Sequence, residues 1–281
     1  MSSFPTVKEL LRKHGVRAKK SWGQNFLTDE RVYQAIVRAS GAGPDDTVVE
    51  IGAGLGTLTL RLGEAAGRVF AIERDRDMAA LLRAELGQHP RIELIEGNAL
   101  SFDYGSLSAR VLRPPIAVGN LPYQIASPLL FRLLEARPPL GRIVVMLQLE
   151  MAQRIVAKPS TSDYSAMTVM VRMVGDPKIV CKVSRSAFSP SPRVDSAVVR
   201  IDPLAAPRAQ VADPLRFSQV VHAAFGQRRK TLRNALSTLA PSITVERALR
   251  RARIDEKRRG ETLDVAEFAR LTEAFEHAGT P

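Results

Sequence analysis

The sequence predicts an α/β protein: a parallel sheet within seven strands, followed by a small all-helical C-terminal domain. Three observations predict it. Short β-branched runs alternate with helical segments, and they are almost continuously apolar, as strands covered by helices on both faces are. After residue 201 only helical spacing remains.

In chain order the expected strands are Thr47–Ile51, Arg68–Ile72, Ile92–Ile95, Ile116–Val118 and Ile143–Leu147. Two more, Pro177–Val183 and Asp195–Ile201, flank the Pro-rich turn Ser189–Pro192 with no helix between them, which reads as an antiparallel hairpin closing the sheet. The following DPLAAPRAQVADP has neither a strand nor a helix period and reads as a linker. The division is therefore drawn between residues 1–205 and residues 206–281. Helical spacing in the second part recurs at Phe217–Phe225, Leu232–Leu239, Val245–Ile254 and Val265–Phe275.

Composition narrows the function classes. With 45% hydrophobic and 25% charged residues in 281, the chain has the balance of a globular protein, not a disordered one. Forty-one Lys and Arg against 29 Asp and Glu leave +12, a field that favours polyanions, nucleic acid first among them. The single cysteine, Cys181, excludes an internal disulfide, and its apolar neighbours read it as a small core residue. Four histidines without a ligand-like pair give no metal site. No apolar run reaches the roughly 18 residues that would span a bilayer, and the first 20 residues hold no long hydrophobic stretch. A cytoplasmic protein, neither secreted nor membrane-spanning, is expected.

Two turns carry the chemistry. Strand Val48–Glu50 runs into Ile51, Gly52, Ala53, Gly54, Leu55 and Gly56, and a helix follows from Thr57. Glycines let a ligand approach the backbone closely, and the helix start offers free N–H groups. Glu73 closes the next strand about 20 residues on, where a carboxylate can accept both hydroxyls of a ribose. The spacing is Gly-x-Gly-x-Gly, not the Gly-x-Gly-x-x-Gly of dinucleotide sites, so a nucleoside ligand without a pyrophosphate fits better. The fourth strand ends in Asn120, Leu121, Pro122 and Tyr123. Asn120 and the main-chain carbonyl beside Pro122 can accept the two N–H bonds of an exocyclic amine, while Tyr123 stacks on the flipped base.

The strings KKSWGQNFL (Lys19–Leu27), EIGAGLGTLT, NLPYQIASP (Asn120–Pro128), FSPSPRVDSAV (Phe188–Val198) and FGQRRKTLRNAL (Phe225–Leu236) together resemble the KsgA (RsmA) family of small-subunit ribosomal RNA adenine-N6 dimethyltransferases, in order and over nearly the whole chain. The resemblance implies a Rossmann-like domain using S-adenosyl-L-methionine, with a helical domain contacting RNA or the ribosome. It implies dimethylation of two adjacent adenosines near the 3′ end of 16S rRNA, late in small-subunit assembly, by a monomer. It assigns cofactor contacts to Asn25, Leu27, Gly52, Gly54, Glu73, Asn98 and Asn120. Asn120, Pro122, Tyr123 and Phe188 become the catalytic set, with Phe188 as the second aromatic around the target adenine. Asn98 departs from the family's usual Asp but can still accept a bond. Arg228, Arg229, Lys230 and Arg233 form one basic cluster toward RNA, and Arg250, Arg251, Arg253, Lys257, Arg258 and Arg259 a second. The rival readings are a large-subunit rRNA adenine methyltransferase, a non-catalytic assembly or transcription factor on the same fold and, more distantly, a nicotinamide oxidoreductase.

Overall fold

The structure is a computed structural model that describes residues 5–19, 22–108, 110–227 and 229–278. The chain divides into two compact units, Met1–Ala152 with Lys178–Pro203, and Gln153–Pro177 with Leu204–Pro281. Helix α1 (Val7–His14) starts with a reciprocal cap, in which the Glu9 amide donates to the Thr6 hydroxyl and the Thr6 amide to the Glu9 carboxylate. A two-residue strand β1 (Phe26–Leu27) precedes α2 (Glu30–Ser40), whose N-terminus is capped by Asp29. Alternation then sets in: β2 (Thr47–Ile51), α3 (Thr57–Ala65), β3 (Arg68–Glu73), α4 (Arg76–Leu86), β4 (Ile92–Glu96), α5 (Tyr104–Ser108), β5 (Ile116–Asn120), α6 (Ala126–Leu134) and β6 (Arg142–Gln148). Helices α7 (Leu149–Val156) and α8 (Ala166–Val174) lead into β7 (Gly175–Val183), β8 (Phe188–Ser189) and β9 (Ser196–Pro203).

The main sheet has seven strands in the order β4-β3-β2-β5-β6-β9-β7. Strands β2 to β6 are parallel to their neighbours, and β9 runs antiparallel to β6. Val48, Val49, Val69, Phe70, Ala117 and Val118 are fully buried, which accounts for the continuous apolar runs. The chain winds outward from β2 through β3 to β4 and then returns to β5 on the other side of β2. That reversal opens a crevice beyond the carboxyl ends of β2 and β5, where ligands of open α/β sheets bind.

The expected hairpin is more elaborate than a proline turn. Strands β7 and β9 are neighbours, but their connection holds a 3-10 turn (Arg185–Ala187) and β8, which pairs antiparallel with β1 through Phe26↔Ser189 and Leu27↔Phe188. The residues before α2 are thereby stitched to the far end of the sheet domain.

The second unit adds α9 (Pro214–Gly226), α10 (Leu232–Leu236), α11 (Ser242–Arg251) and α12 (Val265–Ala278). Its core packs Phe217, Val220, Leu232, Leu249 and Phe268 against Tyr164, Val169 and Met173 of the α8 region. A boundary at 205/206 leaves out this earlier segment. The apolar face of α8 finds its partners in residues that follow it by some 50 to 100 positions, which no local composition shift announces.

One buried group breaks the apolar pattern of the sheet. Glu50 is 2% exposed, and its Oε2 and the Thr59 hydroxyl both lack a hydrogen-bond partner among the described residues. Burial pushes the Glu50 carboxyl up to about 8, with the nearby Glu73 charge reinforcing the shift. Below pH 4.5 the carboxyl is protonated in both folded and unfolded chains. Between there and about pH 8 only the unfolded chain ionises, so stability falls as pH rises across that window. Denaturant unfolding at a series of pH values is expected to show this decline in the native chain and a flatter profile in Glu50→Gln. Equal slopes would mean that Glu50 is already ionised in the folded protein.

Candidate active site

A cavity of about 370 Å3 lies at the carboxyl ends of β2, β3, β4 and β5, in the crevice that the strand order predicts. Gly52 and Gly54 line it with φ of +72° and +57°, a backbone region that other residues enter only with strain. A Cβ on Gly52 would meet nothing within 4 Å, so its surface faces open space. At Gly54 a Cβ would come 3.4 Å from the Phe26 ring, which packs against the turn from β1.

Glu73 ends β3 at 8% exposure. Its Oε2 accepts the Gly54 N–H at 2.8 Å and its Oε1 the Asp75 N–H at 2.7 Å. Burial pushes the carboxyl up, and these amide donors pull the other way. Each oxygen keeps a lone pair for a hydroxyl in the cavity.

Asn120 ends β5, and its side-chain nitrogen donates to the Asn25 carbonyl at 3.1 Å. A carbonyl partner requires the NH2 on that side, so the amide oxygen is left to accept from another group. The Asn25 side chain in turn donates to the Gly23 carbonyl at 3.0 Å. Pro122 opens a 3-10 turn in which its carbonyl accepts the Ile125 N–H at 3.0 Å. Tyr123 lines the cavity, and its hydroxyl lies 2.6 Å from the buried Ser196 hydroxyl at the start of β9. Burial raises the phenol above its ordinary range, so it stays neutral.

Other expected residues separate into two groups. Asn25, Leu27 and Asn98 line the same cavity. The Asn98 oxygen already accepts the Leu100 N–H at 3.1 Å, which leaves it one lone pair. Phe188 is not brought to the cavity wall: at 5% exposure it packs with Leu27, Val32, Tyr33 and Val198. The pairing of β8 with β1 places it in this apolar cluster.

Glu50, Phe26 and Tyr33 are among the lining groups that carried no prediction. Glu50 stood visible as a carboxyl in an apolar strand. Phe26 lies within the KKSWGQNFL string, where no sequence signal sets it apart from its neighbours. Tyr33, from α2, gave no sequence signal, yet its hydroxyl donates to the Leu27 carbonyl and lies 2.7 Å from the Thr57 hydroxyl at the start of α3.

In the helical unit Arg229 and Lys230 are exposed in the turn before α10, while Arg228 lies outside the described residues. Arg233 is tied to Glu246 at 2.6 Å, so it is not a spare cation. Arg258 of the second cluster pairs with both oxygens of Glu267 and with the Thr262 carbonyl, a packing role that separates it from the exposed Arg250, Arg251, Arg253, Lys257 and Arg259. No helix among the described residues is long and apolar enough to cross a membrane, and no His, Cys, Asp and Glu group among them could hold a metal.

The cavity fits S-adenosylmethionine on its own evidence. The Glu50 carboxyl keeps one oxygen unpartnered at the cavity wall, and a cation placed beside it, such as the sulfonium or ammonium of this cofactor, favours the ionisation that burial alone opposes. Gly52 and Gly54 leave room beside the turn, Glu73 faces a ribose position, and Asn98 lies at the end of the neighbouring strand β4.

Comparison with known proteins agrees. A family model described as ribosomal RNA adenine dimethylase matches residues 15–277. A protein from Anaeromyxobacter sp. (strain K), described as ribosomal RNA small subunit methyltransferase A, is 45% identical over 278 residues, covering 95% of this chain and 97% of its own. The crystal structure of a dimethyladenosine transferase from Plasmodium falciparum matches with a TM-score of 0.77 at 27% identity, over 90% of this chain and 98% of that one. That of the 23S rRNA methyltransferase ErmE matches at 0.68 and 30% identity, over 90% and 100%. Matched over nearly its whole length by that family model and by relatives of this kind, the chain belongs to the ribosomal RNA adenine dimethylase family and is an S-adenosylmethionine-dependent rRNA adenine dimethyltransferase.

Proposed function

We propose that this enzyme dimethylates the N6 amino groups of two adjacent adenosines near the 3′ end of 16S rRNA, as a cytoplasmic monomer acting on the assembling small subunit late in its biogenesis. The small-subunit target is supported by the relative of that description at 45% identity, against 30% for the 23S enzyme. The observation that carries the catalytic reading is the fixed Asn120 amide, whose nitrogen is spent on Asn25.

In this reading Asn120 Oδ1 and the Leu121 carbonyl, which directly precedes Pro122, accept the two N–H bonds of the target amine. Accepting both turns the nitrogen lone pair out of the ring plane and toward the cofactor side. Tyr123, held by Ser196, stacks on the base. When bound, the cofactor supplies a methyl group on a positively charged sulfur for in-line transfer. After the first transfer one N–H remains, and a single acceptor then orients the nitrogen. No strong base is needed, because the proton leaves a nitrogen that has become cationic. Asn25, Leu27, Gly52, Gly54, Glu73 and Asn98 hold the cofactor, and Arg228 with the exposed Arg229 and Lys230 meets RNA phosphates.

Single-turnover methylation of unmethylated small subunits tests this directly. Asn120→Ala is expected to lose on the order of a hundredfold in rate with little change in subunit binding. Tyr123→Ala is expected to lower both, by about 1 to 3 kcal/mol in binding. Methylation by Asn120→Ala at the native rate would remove the catalytic assignment.

Calorimetric titration of Glu73→Gln with S-adenosylmethionine is expected to show binding weakened by about 1.5 to 3 kcal/mol, since the charge-assisted bonds to the ribose go. An unchanged dissociation constant would take Glu73 out of the cofactor contacts. Replacing Arg229 and Lys230 together by Ala should lower the salt dependence of subunit binding, by up to about 1.5 in slope, and leave cofactor affinity alone. A salt slope equal to that of the native chain would make this pair a solvated face.

A further inference from the structure

Trp22 is the only tryptophan in the chain, and it is 42% exposed although it lines the cavity. A large apolar ring left half in water at the mouth of a nucleoside site calls for an occupant. Its position is built. The loop folds back through the Trp22 N–H to the Lys19 carbonyl at 3.0 Å and the Lys19 N–H to Gln24 Oε1 at 2.8 Å. Gln24 and Lys19 are then both held by the buried Asp75, at 2.8 and 2.7 Å.

Two cations face the ring, Lys19 at 5.3 Å and Arg74 at 5.2 Å from its centroid. They differ in what else they touch. Lys19 is paired with Asp75 and Asp77, so its charge is offset. Arg74 has no carboxylate partner among the described residues, and its guanidinium rests on the indole alone. An exposed indole beside an uncompensated guanidinium is the pairing on which single-stranded RNA bases stack and phosphates settle.

We propose that Trp22 and Arg74 form a stacking platform for an RNA base flanking the target adenosine. This rests on the reading that the target adenosine enters this cavity. The cofactor groups sit deeper, on Gly52, Gly54 and Glu73, whereas the indole keeps its exposed surface for a group arriving from solvent.

The single tryptophan makes its own probe. The full chain is saturated with S-adenosylhomocysteine and then titrated with an RNA hairpin carrying two adjacent adenosines in its loop, while indole emission and the anisotropy of the labelled hairpin are followed. Quenching that tracks hairpin binding is expected. Trp22→Ala should bind the hairpin about 5- to 30-fold more weakly, with Trp22→Phe intermediate and the S-adenosylhomocysteine dissociation constant unchanged in both. If S-adenosylhomocysteine alone exhausts the quenching, or Trp22→Ala loses affinity for it, the ring covers the cofactor and the platform is overturned. If the hairpin binds native chain and Trp22→Ala alike, the platform falls while the substrate reading stands. No hairpin binding by the native chain overturns both.

Discussion

A carboxylate that is costly to bury holds the site together. Glu73 gives up most of its hydration at the end of β3, and what it receives in return is two backbone amides, one from the glycine turn and one from the start of α4. The bond to Gly54 fixes a turn that positive φ angles would otherwise leave free to move. The bond to Asp75 fixes the next link, because Asp75 caps α4 through the Asp77 N–H and holds Gln24 and Lys19 from the N-terminal loop. That loop leads to Asn25, whose carbonyl orients Asn120. The glycine turn after β2 and the Asn-Leu-Pro-Tyr turn after β5 are thus joined by a chain of partly buried polar contacts running through Glu73.

Charge is arranged against the grain of the molecule. The chain carries +12 overall, yet its cavity contains two buried carboxyls, Glu50 and Glu73, each raised by burial. The Lys19 ammonium and Gln24 amide keep a third carboxyl, on Asp75, below the ordinary range in spite of its burial. Held protonated below about pH 8, Glu50 meets a ligand as a polar group and not as a charge, while the exposed surface carries the basic field that a polyanion meets.

What could be seen in the sequence follows from how local each cause is. Strands β2, β3, β5 and β6 were visible because burial on both faces leaves them mostly apolar, with five such residues in a row in β6, while the half-buried β4 showed itself by its place in the alternation. The Gly turn and the Asn120 turn were visible because their backbones demand particular residues. The packing of Phe188 was not visible, because it depends on β8 pairing with a two-residue strand over 160 positions earlier, too short to leave a pattern. The α8 segment was assigned to the wrong unit for a similar reason, its partners lying far along the chain. Arg233 and Arg258 looked like members of basic runs, and only geometry shows that Glu246 and Glu267 neutralise them.

Methyl transfer without a base places its whole demand on alignment. A displacement at carbon tolerates little misplacement of the attacking nitrogen, and an error of about 1 Å can cost a hundredfold in rate. In the proposed mechanism the acceptor that orients this nitrogen is Asn120, an amide at a strand end with a rotatable side chain and no charge of its own. Its precision comes from the donor side, where Asn25 holds the NH2, and Asn25 belongs to a loop anchored by Asp75. Tyr123 is restrained in the same manner by Ser196, from a strand that follows it by more than 70 residues. Asn120 and Tyr123, the two residues proposed to hold the base, are thus both aimed by groups distant in sequence, and the N-terminal segment that supplies one of them is pinned in place where β1 pairs with β8.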